Sequence, residues 1–124
     1  MARKEICSKE IAAVGPYSLG VNVDGLVFFS GQLPIDPKTG KLVDGDVKAQ
    51  TEQVFSNIFN LLESAGLTPD NVQKVNVFLT DMNDFQAMNE VYKNKFNKPY
   101  PARSTLGVAA LPLGSKVEIE IIAK

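Results

Sequence analysis

Residues 46–80 constrain this 124-residue chain more than any other stretch. Val47, Val54, Phe55, Ile58, Leu61, Leu62 and Ala65 recur at the three- and four-residue spacing of one helix face. Asp46 stands where a side-chain oxygen can accept from the free N–H groups of a first turn. Gly66 stands where a left-handed residue ends a helix. The period then changes to two: Val75, Val77 and Leu79 alternate with Lys74, Asn76, Phe78 and Thr80, as in a strand. It turns helical again from Asn83 or Asp84 to Phe96, with Phe85, Met88, Tyr92 and Phe96 on one stripe. Lys93, Lys95 and Lys98 fall near the C-terminal end of that stripe, where positive charge is favoured. Two helices that each link strands, through right-handed crossovers, lie on the same side of one mixed sheet.

The other strands follow from the flanking segments. Residues 2–7 suit a short first strand containing Cys7. Runs at 19–23 and 26–31 are joined by Asp24-Gly25, a pair that tolerates the positive φ of a type I′ turn. The segment PIDPKTGKLVDGD reads as a loop, and strands close the chain near 102–108 and 116–123. The order is β-β-β-α-β-α-β-β, an α+β fold with a six-stranded sheet, in one domain spanning 1–124. The short connection VAALPLGS suggests that the last two strands pair as antiparallel neighbours, so that Arg103 and Glu118 border one pocket. In LVFFS both strand parities are apolar, and apolar residues on both faces require cover on both. Two helices supply one cover. Other copies of the chain are expected to supply the second, making a homo-oligomer; a monomer in sedimentation at micromolar concentration would defeat this.

Composition removes several classes of chemistry. A net charge of −1 and a pI of about 5.4, with no basic run, argue against an extended nucleic-acid surface and fit poorly with a ribonuclease. There is no histidine and one cysteine, Cys7, whose expected role is inert packing. A zinc site, an internal disulfide and the histidine-based triads are therefore not expected. PKTGK at 37–41 lacks the rest of a phosphate loop. The first residues hold no apolar h-region and no run approaches a membrane span, so the expected location is the cytoplasm.

One residue stands out chemically. Eleven of the thirteen basic residues are lysine, yet Arg103 sits at the root of a strand in KPYPARSTLGV. A guanidinium grips a carboxylate through two parallel hydrogen bonds, which lysine cannot copy. Arg103 and Thr105 share strand parity and point the same way. Among polar and aromatic candidates for a site, Arg103 and Glu118 also read plainly as ion-paired strand residues, Tyr17 as a packed loop aromatic, Ser30-Gly31 as a turn and Asn89 as a helix-surface residue.

The segments AAVGPYSLGV, FFSGQLPIDPKTG, AGLTPDNVQKVNVFLTDMNDFQAMNEVY and PARSTLGVAALPLGSKVEIEIIA together resemble the Rid family, the RidA/YjgF-type reactive intermediate deaminases, over essentially the whole chain. The resemblance implies a chorismate-mutase-like fold and a homotrimer whose sheets line an inner β-barrel, with ligand sites at subunit interfaces. It implies hydrolysis of 2-aminoacrylate, 2-iminopropanoate or 2-iminobutanoate to 2-keto acids and ammonia without a cofactor or metal. Pyridoxal-phosphate-dependent dehydratases are then the source of substrate. By the same resemblance Arg103 binds the substrate carboxylate, Glu118 positions water, and Tyr17, Ser30, Gly31, Phe85 and Asn89 line the pocket. Thr105 stands where many members carry cysteine, so its backbone rather than a thiol would contact ligand or water. The alternative is a non-catalytic trimer that binds a small carboxylate as a metabolic or translational regulator.

Overall fold

A computed structural model describes residues 2–124. The strands β1 (Lys4–Ile6), β2 (Gly20–Val23) and β3 (Leu26–Phe29) form an antiparallel meander. Asp24 and Gly25 both take positive φ, 54° and 87°, so the turn has the geometry that its sequence predicts. Within the expected loop lies a small hairpin, β4 (Ile35–Asp36) with β5 (Lys41–Leu42). The Nδ2 of Asn57 ties it down by donating to the carbonyls of Leu33 and Ile35, at 3.2 and 2.8 Å.

Helix α1 (Val47–Ser64) begins where the Asp46 side chain accepts from the Ala49 N–H at 3.0 Å, and Gly66 follows it with φ 74°. Strand β6 (Val72–Leu79) leads through a 3-10 turn into α2 (Phe85–Tyr92). This helix is shorter than the expected run to Phe96. After Lys93 the hydrogen bonds change from four-residue to three-residue spacing, Asn94 to Val91 and Lys95 to Tyr92. Lys95 and Lys98 therefore lie beyond the helix. Phe96 still reaches the core, because the tighter turns keep it on the Tyr92 side.

The chain ends in β7 (Ala102–Gly107) and β8 (Val117–Ala123), and the sheet order is β1-β2-β3-β8-β6-β7. This corrects the expected pairing of the last two strands. β7 lies parallel to one side of β6, and β8 lies antiparallel to the other. The connection passes over the end of β6: Val108 N–H donates to Leu79 O, and Thr80 N–H donates to Lys116 O. A crossover through α2 delivers β7 beside β6, and the return fills the gap between β6 and β3.

One sheet face carries Val75, Val77, Leu79, Val117, Ile119 and Ile121, all buried against α1 residues such as Phe55, Ile58 and Leu62. By register the opposite face carries Lys74, Asn76 and Phe78, with Ser104 and Leu106 on one side and Glu118, Glu120 and Ile122 on the other. Phe28 lies beside Ile122 on that face and is 42% exposed, and Leu106 is 52% exposed. Two helices thus cover a mixed six-stranded sheet on one side. Cys7 lies just past β1 and is exposed, so the expected packing role is corrected: three residues of edge strand are too little to bury it. Among the described residues no helix is long and apolar enough to cross a membrane.

Candidate functional site

Helix α2 presents Phe85, Asn89 and Tyr92 at i, i+4 and i+7, one face of a helix. That face meets Arg103. The guanidinium Nη1 donates to Asn89 Oδ1 at 2.7 Å, and the guanidinium carbon lies 4.5 Å from the Tyr92 ring centroid and 5.6 Å from that of Phe85. Burial pushes the Tyr92 hydroxyl up to about 12, against the opposing pull of the Arg103 charge. Arg103 pairs in register with Val75 and Thr105 with Val77, so both side chains lie on the helix-covered face. The Thr105 hydroxyl oxygen is buried without a hydrogen-bond partner. Asn89, Tyr92, Lys93, Tyr100 and Arg103 line a cavity of about 560 Å³. The guanidinium has no ion-pair partner among the described residues, so N–H groups beyond the Asn89 bond are left for a ligand. A planar cation with this placement suits a carboxylate.

A second group gathers around Glu118. This residue pairs in register with Phe78 and so lies on the open face, two residues from Glu120. The Glu120 carboxylate accepts from Asn76 Nδ2 at 3.1 Å. A Cβ on Gly31 would overlap the Glu118 carboxylate, so glycine is what lets the chain pass so close. Next to it, the Ser30 hydroxyl donates to Ser18 O at 2.6 Å and the Ser30 N–H donates to Leu19 O at 2.9 Å. Ser30 and Tyr17 line a hollow of about 730 Å³ with Arg3, Phe28 and Glu120.

The eight residues expected at the site therefore fall into two sets. Phe85, Asn89, Arg103 and Thr105 cluster on the α2 side; Tyr17, Ser30, Gly31 and Glu118 cluster at the open face. Arg103 and Glu118 do not border one pocket within a chain, which corrects the expectation drawn from sequence. β6 separates their strands, and the parity of the pairing puts them on opposite sheet faces. In the sequence Tyr92 stands only as a member of the stripe with Phe85, Met88 and Phe96. Its spacing from Phe85 and Asn89 is the signal that places it at Arg103.

Burial pushes the Glu118 carboxyl above its ordinary value of 4.5, and the Glu120 charge adds to the shift. Between the unfolded and folded values the folded state holds the extra proton. Stability is therefore lost as pH rises through that window, and the loss is complete above the folded value. Glu118→Gln is expected to raise Tm at neutral pH and to leave it unchanged below the unfolded value. The gain is small because the side chain is only half-buried. Melting curves of both proteins across pH check this, and an equal gain at both ends would assign the effect to packing.

Residues 7–124 match the family described as Endoribonuclease L-PSP. The chain belongs to this family, the Rid proteins. A RutC family protein of Pyrococcus horikoshii is 48% identical over 122 residues, covering 97% of each chain. The 2-iminobutanoate/2-iminopropanoate deaminase of Capra hircus is 49% identical over 116 residues, 94% of this chain and 85% of that protein. The crystal structure of RidA from an Antarctic Psychrobacter superposes with a TM-score of 0.93 at 49% identity, covering 98% of each chain. Relatives within the Rid family thus carry a deaminase name, while the family description itself speaks of RNA cleavage.

Proposed function

We propose that this Rid protein hydrolyses small 2-imino acids, and their enamine tautomers, to 2-keto acids and ammonia. The observation that carries the reading is the cradled Arg103, a guanidinium held by Asn89 and two rings at the edge of a cavity. The deaminase name of a relative 49% identical to the chain supports it. A dehydratase that eliminates water from serine or threonine with pyridoxal phosphate is the class of enzyme that would supply such imines.

Arg103 holds the substrate carboxylate and so fixes the imine carbon next to it; positioning of this kind supplies several kcal/mol of barrier reduction. A water oxygen attacks the carbon of the protonated imine while Glu118 takes one water proton, and the C=N electron pair moves to nitrogen to give a neutral carbinolamine. Glu118 then returns that proton to the amine, the hydroxyl proton passes to solvent water as the C=O forms, the C–N bond breaks, and nitrogen departs as ammonia. Water is consumed, ammonia and a keto acid are formed, and no redox change occurs. The raised Glu118 value suits a group that accepts a proton and then returns it. Because Arg103 and Glu118 occupy opposite faces of one sheet, the reaction needs the Arg103 cluster of one copy beside the Glu118 cluster of another. A homotrimer closed around the open sheet faces meets that need and covers Phe28 and Leu106.

The experiment is keto-acid release with a serine or threonine dehydratase generating the imine in place. Acceleration over a no-protein control supports the reading; none with any 2-imino acid rejects it. Gly31→Ala adds a test of Glu118. The atoms that it meets are the far end of a flexible side chain, so the carboxylate moves and the fold stays. Expected are a stability change within about 1 kcal/mol and a turnover loss of at least about tenfold, part of the roughly 10²–10⁴-fold that a positioned general base contributes. Wild-type turnover in that variant would take Glu118 out of the reaction.

A second reading is favoured by one observation: residues of one chain, Glu118 not among them, form the Arg103 cavity. It can bind a carboxylate as a sensor. Keto-acid binding without imine hydrolysis is the result that would select it.

A further inference from the structure

We propose that Tyr92 is a positioning residue for Arg103, its ring being the platform that fixes the plane of the guanidinium. The inference rests on the carboxylate reading of the Arg103 cavity, and it concerns a residue outside the set expected at the site. The guanidinium carbon is closer to the Tyr92 ring than to the Phe85 ring, 4.5 against 5.6 Å. Attraction between a cation and a ring face grows when water is kept away, and Tyr92 is only 5% exposed.

The ring is itself held. It packs at 73° to Phe55 with centroids 5.7 Å apart, and against Phe96 at 5.4 Å. Phe55 is fully buried in α1. The orientation of Arg103 is thus set by the hydrophobic core, and Asn89 secures one nitrogen. The Tyr92 hydroxyl makes no hydrogen bond among the described residues, so the ring is fixed by packing alone. A guanidinium pinned in this way loses little further freedom when it takes a planar carboxylate, which is the benefit of preorganisation.

Only two arginines occur in the chain, and Arg3 is exposed. The Nε–Hε region of a nitrogen-resolved NMR spectrum therefore holds two side-chain signals, with Arg3 as an internal reference. Rotation of the Arg103 guanidinium is expected to be slower than that of Arg3 in wild type and in Tyr92→Phe. It is expected to quicken in Tyr92→Met and Tyr92→Leu, which keep apolar bulk and lose the ring face. With 2-oxobutanoate as the probe, the Met and Leu variants are expected to bind about tenfold more weakly. Tyr92→Phe should restore affinity, and in the coupled assay the change should fall on KM more than on kcat. Should neither Met nor Leu variant fold, Asn89→Ala decides: with the hydrogen bond gone, the platform alone is expected to keep Arg103 slower than Arg3. Slow rotation and wild-type affinity in Tyr92→Met would overturn the proposal. So would a Tyr92→Phe variant as weak as Met, which would assign the role to the hydroxyl, or an Asn89→Ala variant with Arg103 as fast as Arg3. If wild type neither binds 2-oxobutanoate nor hydrolyses imines, the carboxylate reading fails alone, and the rotation rates still decide Tyr92.

Discussion

Arg103→Ala is expected to lower kcat/KM toward 2-imino acids by about 30- to several-thousand-fold, the equivalent of about 2–5 kcal/mol for losing one partner of a desolvated charge pair. The loss arises twice. The substrate carboxylate loses its bidentate partner, and the imine carbon loses its placement relative to water. The Arg103 side chain is only partly buried and its single hydrogen bond goes to Asn89, so the fold should withstand the change. Arg103→Lys is expected to recover only a small part of the loss, because an ammonium keeps the charge without the two-pronged geometry. Steady-state kinetics with dehydratase-generated imine, alongside melting curves, separate the two effects. Turnover near wild type in Arg103→Ala with an intact fold would remove carboxylate binding from this residue.

Phe55→Ala is expected to cost about 3–5 kcal/mol of stability, the range for deleting a buried aromatic ring and leaving a cavity. Phe55 is inaccessible to solvent and its ring meets Phe59, Tyr92 and Phe96 at 5.8, 5.7 and 5.7 Å. Through Tyr92 and Phe96 it joins α1 to α2 and to the turn that follows it. The neighbours are themselves fixed in the core and cannot close far over the void. Denaturant unfolding should show a lower midpoint with an unchanged slope. Because Tyr92 leans on Phe55 and Arg103 lies over Tyr92, the variant is also expected to raise KM while it remains folded. A cost below about 1 kcal/mol would mean that the aromatic cluster repacks freely.

Much of the architecture was legible where the cause is local. The stripe from Val47 to Leu62, the Asp46 cap, the Gly66 stop and the Asp24-Gly25 turn each depend on residues a few positions apart, and each appears as expected. The alternation in β6 put Val75, Val77 and Leu79 on one face, and all three are buried. The β4–β5 hairpin was missed because two-residue strands carry no periodicity; it depends on Asn57, far along the chain. The early end of α2 was missed because a tightened turn leaves the apolar spacing to Phe96 intact.

The site divides in the same way. Arg103 was conspicuous as a rare arginine, its shared face with Thr105 followed from parity, and the remaining residues came from resemblance to the Rid family. Their grouping did not. Which side of β6 receives β8 is decided by the path of residues 108–116 over the end of that strand, and no residue type in that segment encodes it.

The sequence by itself determined the long helix, the main strands and the shared face of the apolar residues in β6, because periodicity, capping and turn chemistry act over a few residues; the family followed from resemblance. Only the tertiary structure decided that Arg103 and Glu118 stand on opposite faces of the sheet and that Tyr92 lies beneath the guanidinium. Strand order and helix docking are settled by packing the whole chain at once, and a difference of one strand position moves a side chain from one site to another.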